Sequence, residues 1–323
     1  MNTEWMECVR WCHSAEDRES VDALIQALYQ LQSRSSYADP ILTMFREESG
    51  VRAAGYLVLY EGALASVGNL RVESFQNDDR ELHHVLLTDL AKELLKQAFD
   101  QGAEIIQAIS PLASSQGLNE WGPVFDSPDP KRDQVLNSAG LLPVAKLVQM
   151  DCSTIQPYET FLTPVACDGE HDETCFFPFT VISSTQWSQL VENTYLDTRD
   201  VPELNGLRRV ESTLAGYAST WSGIPETWWL MRCKGVDIGC LLITPTSVHC
   251  CELTYIGLVP EWRGKGFSKV MMNFVRDWAL KSKIERITLA VDLRNAPAIR
   301  LYQSCGFIAE RFVQAWICLS PPD

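Results

Sequence analysis

No run of about eighteen apolar residues occurs anywhere in the chain, so no segment reads as a bilayer-crossing helix. The start, Met1-Asn2-Thr3-Glu4-Trp5, lacks the basic and apolar stretches of a secretory leader, and none is expected. Basic residues are scarce: 27 Lys and Arg stand against 42 Asp and Glu, a net charge of −15. Without a basic run there is little to release counterions from a nucleic acid or to hold an anionic membrane, and neither is an expected partner. No CxxC pair stands with a second pair at zinc spacing, so no metal site is expected. The 11 cysteines are an odd number and scattered, which fits free thiols in a reducing, cytoplasmic setting.

What is present is an ordinary globular composition, 46% hydrophobic and 21% charged, in a chain of 323 residues. That length suits two domains. They are expected at 1–155 and 179–323, with a Pro-containing, acidic linker at 156–178 that could instead include a strand joining two sheets. In the first half the periodicity predicts a helix from Ala15 to Gln32, strands over 53–60 and 63–72, a helix from Leu86 to Phe99, and a strand at 105–109. Pro111 to Pro130 reads as a loop. The second half repeats the order: a helix at 185–195, strands at 228–233, 237–244 and 251–259, a helix at 268–281, a strand at 287–291, a short helix at 297–304 and a last strand or bent pair at 307–318. Val135 to Leu141 aligns with Leu301 to Phe307, and Ala103 to Ile106 with Ile284 to Ile287, which suggests an internal duplication.

One segment carries chemistry. Between a strand and an apolar helix stand Pro260-Glu261-Trp262-Arg263-Gly264-Lys265-Gly266-Phe267-Ser268. Gly264 and Gly266 allow a sharp turn and close approach of a ligand, and the amides that follow open a helix whose positive end attracts an anion such as a pyrophosphate. The spacing fits neither the Walker loop nor the Rossmann fingerprint, since Lys269 stands where the latter needs Gly.

This segment resembles the signature of the GNAT acetyltransferases, Arg/Gln-x-x-Gly-x-Gly/Ala, with Arg263, Gly266 and Ser268 at its three positions; Ser268 departs from the usual Gly or Ala but stays small. Downstream, Asn295, Ala298, Leu301, Tyr302, Gly306 and Phe307 match every position of the family's second pattern, Asn-x-x-Ala-x-x-Leu-Tyr-x-x-x-Gly-Phe. The resemblance covers Phe179 to Ser320; the first half resembles the family only in element order. It implies an α/β (α+β) fold of two GNAT-like domains in tandem, each a mixed, mostly antiparallel sheet flanked by helices. The first would be a degenerate copy: Ser74 to Glu81 holds no Gly and three acidic residues, and Asn137 is expected where the second half has Tyr302. Tandem arrangements with one active half occur in the family.

The same resemblance implies acetyl-CoA as cofactor and acetyl transfer to a primary amine, expected to be that of a small molecule, by direct attack in a ternary complex. The amides of Gly264, Lys265, Gly266, Phe267 and Ser268 would hold the pyrophosphate, with Arg263 adding charge. The backbone of Ile256, Gly257, Leu258 and Val259 would hold the pantetheine arm, with a bulge at Gly257. Tyr302 would protonate the leaving thiolate, and Asn295 would cap its helix and reach the CoA chain. Glu252, sharing strand parity with Thr254 and Ile256, is the candidate base, and His249 its rival. Thr194 to Trp221, with Tyr195, Asp197, Asp200, Glu203, Asn205 and Glu211, would shape the acceptor site and could hold an ammonium. A protein N-terminus or lysine as acceptor, or a non-catalytic acyl-CoA-binding regulator, remain the alternatives; monomer and homodimer are both open.

Overall fold

Strand and helix alternate through a computed structural model that describes residues 41–48, 51–60, 64–74, 80–112, 130–154, 174–207, 209–219 and 226–322. The helix expected at 15–32, the loop at 113–129, the first part of the linker and the acidic stretch at 75–79 lie outside these residues. The first half contributes β1 (Ile41–Glu48), β2 (Val51–Tyr60), β3 (Leu64–Ser74), α1 (Arg80–Asp100), β4 (Ile105–Pro111), α2 (Pro130–Ser138) and β5 (Leu142–Ser153). The second contributes β6 (Thr174–Pro178), α3 (Ser184–Tyr195), α4 (Val210–Ser219), β7 (Trp228–Cys233), β8 (Val236–Pro245), β9 (Cys250–Leu258), α5 (Phe267–Lys281), β10 (Arg286–Asp292), α6 (Ala296–Ser304) and β11 (Ile308–Cys318). β6 occupies the end of the stretch read as a linker and pairs with β7. Among the described residues no helix is long and apolar enough to cross a membrane.

The described strands join one eleven-stranded sheet in the order β1-β2-β3-β4-β11-β5-β10-β9-β8-β7-β6. Only β3/β4 and β9/β10 are parallel pairs, each joined by a crossover helix, α1 or α5. The remaining pairs are antiparallel, so the fold is a mixed, mostly antiparallel sheet flanked by helices.

Alternation along β7 and β8 explains why both faces are covered. Trp229, Met231, Leu241 and Ile243 point into a core with α5, whereas Trp228, Leu230, Cys240 and Leu242 point the other way, against Trp187, Leu190 and Val191 of α3 and Val210 and Leu214 of α4. Ser183 starts α3 with a capping box closed by Gln186.

The duplication is visible in backbone bonding. After α2, Leu141 N donates to Leu136 O and Gly140 N to Asn137 O; after α6, Phe307 N donates to Tyr302 O and Gly306 N to Gln303 O. Gly140 and Gly306 take left-handed φ of 96° and 84°. This register corrects one expectation: the partner of Tyr302 is the buried Leu136, not Asn137, which is exposed like Gln303.

The two halves exchange their last strands. β5 of the first half lies between β10 and β11, and its Val148, Met150 and Cys152 join the second half's core. β11 of the second half lies against β4, and its Trp316 and Cys318 join the first half's core with Leu90, Leu94 and Ile106. Trp316 Nε1 also donates to the buried Ser110 Oγ, 2.9 Å away.

Candidate functional site

β9 and β10 pair only through Cys250–Glu252 and Arg286–Thr288, and then part. β9 remains paired to β8 as far as Leu258, so its edge toward β10 carries backbone donors and acceptors with no strand partner. A cavity of about 450 Å³ opens in the gap. Ile256, Gly257 and Leu258 line it from β9, Ala290 and Val291 from β10, and Asn295, Ala298, Leu301 and Tyr302 from α6 and its start.

The bulge that bends β9 is at Thr254, not at Gly257. Leu242 and Ile243 of β8 pair with Tyr255 and Leu253, leaving Thr254 as the extra residue. The bulge inverts strand parity: Cys251 and Leu253 face the α5 core, and so do Ile256 and Leu258 beyond it, while Tyr255 faces α3. Glu252 therefore does not share a face with Ile256. Gly257 serves a different need. A Cβ there would stand 2.6 Å from Tyr255 Oη and 2.7 Å from Thr194 Oγ1, two atoms joined by a 2.7 Å hydrogen bond. Val259 N is bonded to Ile238 O, and Val259 does not line the cavity.

After β9 a short turn, Pro260–Trp262, leads into the glycine loop. Gly264 and Gly266 adopt left-handed φ of 72° and 87°. Nothing lies within 4 Å of a Cβ built on Gly264, which lines the cavity with Ser268. Gly266 is the N-cap of α5 and supplies no side-chain cap. The amide of Ser268, in the first turn of α5, has no preceding turn to donate to, whereas Lys269 N donates to Gly266 O at 3.0 Å. Phe267 is 1% exposed and packs edge-on against Trp262, so it anchors the loop and can offer only its backbone. Lys265 Nζ lies 5.5 Å over the Trp262 ring, exposed to solvent.

Arg263, expected to add charge for phosphates, is held elsewhere. Its Nε donates to Leu258 O at 2.9 Å, Nη1 to Asp197 O at 3.1 Å and Nη2 to Thr194 O at 3.0 Å. It thus ties the glycine loop to the segment that follows α3. Asn295 Oδ1 caps α6 by accepting from Ala298 N.

Tyr302 is 7% exposed, and no described residue bonds its hydroxyl, which belongs to the cavity wall. Burial, then the charge of Asp200, then Cys305 push the phenol well above its ordinary pKa, so it keeps its proton across the physiological range. Glu252 stands at the closed end of the cleft, opposite Thr288 and Thr244 on the flanking strands. It does not line the cavity. Burial raises its carboxyl above the usual range, and no described residue pairs with it. His249 lies just outside β9, with Nδ1 3.5 Å from Glu285 Oε1 on an exposed surface away from the cavity. Cys305 is buried in the core and does not reach the cavity.

Of the residues expected to shape the acceptor site, Asp197 and Asp200 line the cavity. Tyr195 stacks edge-on against Tyr255, Asn205 donates to Tyr195 O, Glu203 pairs with Arg294, and Glu211 pairs with Arg209 at the surface. Sequence reading did not assign Asp292 a role, although it ends an apolar strand just before the Asn295 pattern. Asp292 is 0% exposed. Its Oδ2 accepts from Val201 N at 3.1 Å, its N donates to Asp200 Oδ1 at 2.9 Å, and Arg294 bridges it to Glu203. Val201 is held at φ 41°, a left-handed conformation costly for a β-branched residue.

Residues 189–307 match the model of the acetyltransferase (GNAT) family. Spermidine N(1)-acetyltransferase of Vibrio cholerae is 33% identical over 70 residues, 21% of this chain and 40% of the relative. Streptothricin acetyltransferase of Escherichia coli is 30% identical over 70 residues, 22% of this chain and 40% of the relative. The chain thus spans about 40% of the length of these curated relatives. Among solved structures, a tandem GNAT protein from the clavulanic acid biosynthesis pathway is similar with a TM-score of 0.56 at 13% identity, over 99% of this chain and 96% of that one.

Proposed function

We propose, for a chain whose residues 189–307 match the GNAT acetyltransferase family and whose fold is similar to a tandem GNAT protein, transfer of an acetyl group from acetyl-CoA to a primary amine of a small molecule in the cavity between β9 and β10. The observation that carries this is the parting of β9 and β10 beside an uncapped, glycine-flanked helix start. The residues present fit the cofactor: an open Cβ position at Gly264, a helix start with no side-chain cap and a strand edge without a strand partner together suit a long anionic arm. The names of the two curated relatives, which give spermidine and streptothricin as acetylated compounds, support a small acceptor.

Acetyl-CoA supplies an activated thioester when bound. The amides from Gly264 to Ser268 would hold its pyrophosphate, and the edge of β9 from Ile256 to Leu258 would hold the pantetheine as an added strand. Asn295, which both caps α6 and lines the cavity, would reach the same arm. Tyr302, kept protonated by burial and with no hydroxyl partner among the described residues, would give its proton to the departing sulfur. Glu252, raised and unpaired but set back from the cavity, takes the proton of the attacking amine through water. The chemistry is direct attack, without a covalent enzyme intermediate.

The test is a thermal melt with and without acetyl-CoA, on the wild type and on Ser268→Glu. That substitution puts a carboxylate among the phosphate-binding amides at an ordinary helical position, without backbone strain. A ligand at a hundred times its dissociation constant stabilises the native state by about 2.7 kcal/mol. The wild type is expected to gain melting temperature and the variant to lose most of the gain. No gain in the wild type overturns the reading. Acetyl transfer to spermidine, glucosamine and a lysine-bearing peptide then separates small-molecule from peptide acceptors.

A further inference from the structure

The segment Asp197–Asp200 lines the cavity with two carboxylates and one guanidinium, Arg199. Asp197 has no hydrogen bond or ion pair from its carboxylate among the described residues. Among the described residues, the Asp200 carboxylate accepts only the backbone N–H of Asp292, at 2.9 Å. Two nearby guanidinium groups are committed, Arg263 to three carbonyls and Arg294 to Asp292 and Glu203, while Arg199 lines the same cavity. Arg199 stands between the two aspartates in the chain and pairs with neither. The wall also holds Tyr302, buried to 7% exposure with its hydroxyl unbonded, an independent sign that a polar ligand group belongs here.

The segment is held in place at a cost. Asp197 and Val201 are both left-handed, at φ 52° and 41°. Arg263 holds its first carbonyl, and the buried Asp292 holds Val201 N and, in return, donates to Asp200. These bonds fix the direction in which the Asp200 carboxylate faces the cavity. Desolvation, the largest effect on Asp200, and the neighbouring charge of Asp292 raise its pKa, whereas the Asp292 backbone bond and Arg294 lower it. A second cation delivered by a ligand would relieve that strain.

We propose that Asp200, with Asp197, is the anionic contact that selects acceptors carrying a further ammonium besides the amine that is acetylated. This rests on the acetyl-transfer reading above. It makes the acceptor class a di- or polyamine-like cation. Asp200 and Asp197 bind the non-reacting ammonium; they take no proton in the reaction.

The test compares propylamine, 1,3-diaminopropane and bis(3-aminopropyl)amine as acceptors for the full chain, the wild type against Asp200→Asn and Asp197→Asn. Asn keeps an oxygen for the Asp292 amide, so the loop stays closed. Asp197→Asn removes a carboxylate on which no bond depends. An unchanged thermal gain with acetyl-CoA verifies both folds. For Asp200→Asn, KM for the two polyamines is expected to rise about tenfold or more, the scale of one charge-assisted contact, with kcat and the KM for acetyl-CoA little changed. KM for propylamine should stay level. In the wild type, added salt should raise KM for the polyamines, and less so in the variants. An unchanged polyamine-to-propylamine ratio in variants that turn over would overturn the role of Asp200 and leave the transfer reading standing. A fall in kcat at constant KM would overturn it too, since it would place Asp200 in the chemistry. No transfer to any amine by a wild type that acetyl-CoA stabilises would sink the transfer reading and this proposal with it.

Discussion

Glu252 and Tyr302 owe their proposed roles to the same circumstance, burial beside a cavity without a partner. For Tyr302 burial keeps the proton on; for Glu252 it makes the carboxylate a stronger base than an exposed one. The second effect has a stability consequence. A carboxyl whose native pKa is raised binds a proton more readily in the folded than in the unfolded state. Stability therefore falls as pH rises from the ordinary Glu value through the raised one, and the loss is complete above it. Glu252→Gln removes that loss. The variant is expected to melt higher than the wild type at neutral pH, with the advantage shrinking toward pH 4, while kcat for any accepted amine drops about a hundredfold. Paired melts at several pH values with initial-rate assays would check this; a lower melting temperature at neutral pH would mean that the carboxylate is held by a favourable contact. The types of these residues were legible in the sequence, since a Glu in an apolar strand and a Tyr in a matched pattern stand out. The destination of Arg263 was not. Its partners, the carbonyls of Thr194 and Asp197, are 69 and 66 residues away, and a backbone oxygen carries no sequence signal.

At the scale of elements, periodicity placed α3, α5, α6 and the strands β2 to β4 and β7 to β11 to within a residue or two, and α1 except for its first turns. It missed β1, α2 and α4, each too short to show a clear period, and it read β6 as the end of the Pro-containing, acidic linker. It also put the β9 bulge at Gly257, because glycine is the usual mark of a bulge and Thr254 is not. Comparing the twin elements yields a prediction. α1 ends with Gly102 at φ 96° and Ala103 N bonded to Ala98 O; α5 ends in the same way, with Ile284 N bonded to Ala279 O, but at Lys283, φ 58°. A left-handed Lys costs about 1–2 kcal/mol relative to glycine, partly offset by glycine's greater freedom when unfolded. Lys283→Gly is expected to stabilise by about 0.5–1 kcal/mol without changing activity, measurable as a higher urea midpoint at unchanged slope. A lower midpoint would show that the Lys283 side chain contributes more than its backbone costs.

For the molecule as a whole, the exchange of β5 and β11 was hidden from sequence because both strands follow the same helix-glycine pattern and are equally apolar. Either could complete either half, and only three-dimensional packing decides. In the observed arrangement β5 separates β10 from β11 and fills the second half's core with Val148, Met150 and Cys152, while β11 gives Trp316 and Cys318 to the first. Neither half is closed by its own residues. Residues 174–323 expressed alone would leave the β10 edge bare and those three side chains missing. Each lost apolar side chain of that size is worth about 2 kcal/mol on burial, so the deficit is comparable with the whole stability of a domain. The fragment is therefore expected to show no cooperative melt and no gain with acetyl-CoA, although it contains every residue of the proposed site. The intact chain should melt in one transition. Mixing the fragment with residues 1–173 should restore the acetyl-CoA-dependent gain, since the missing strand then arrives on a second chain. A fragment 174–323 that folds and responds to acetyl-CoA alone would show that β11 can turn back onto β10 in place of β5, and that the exchange is one of two arrangements open to the duplicated fold.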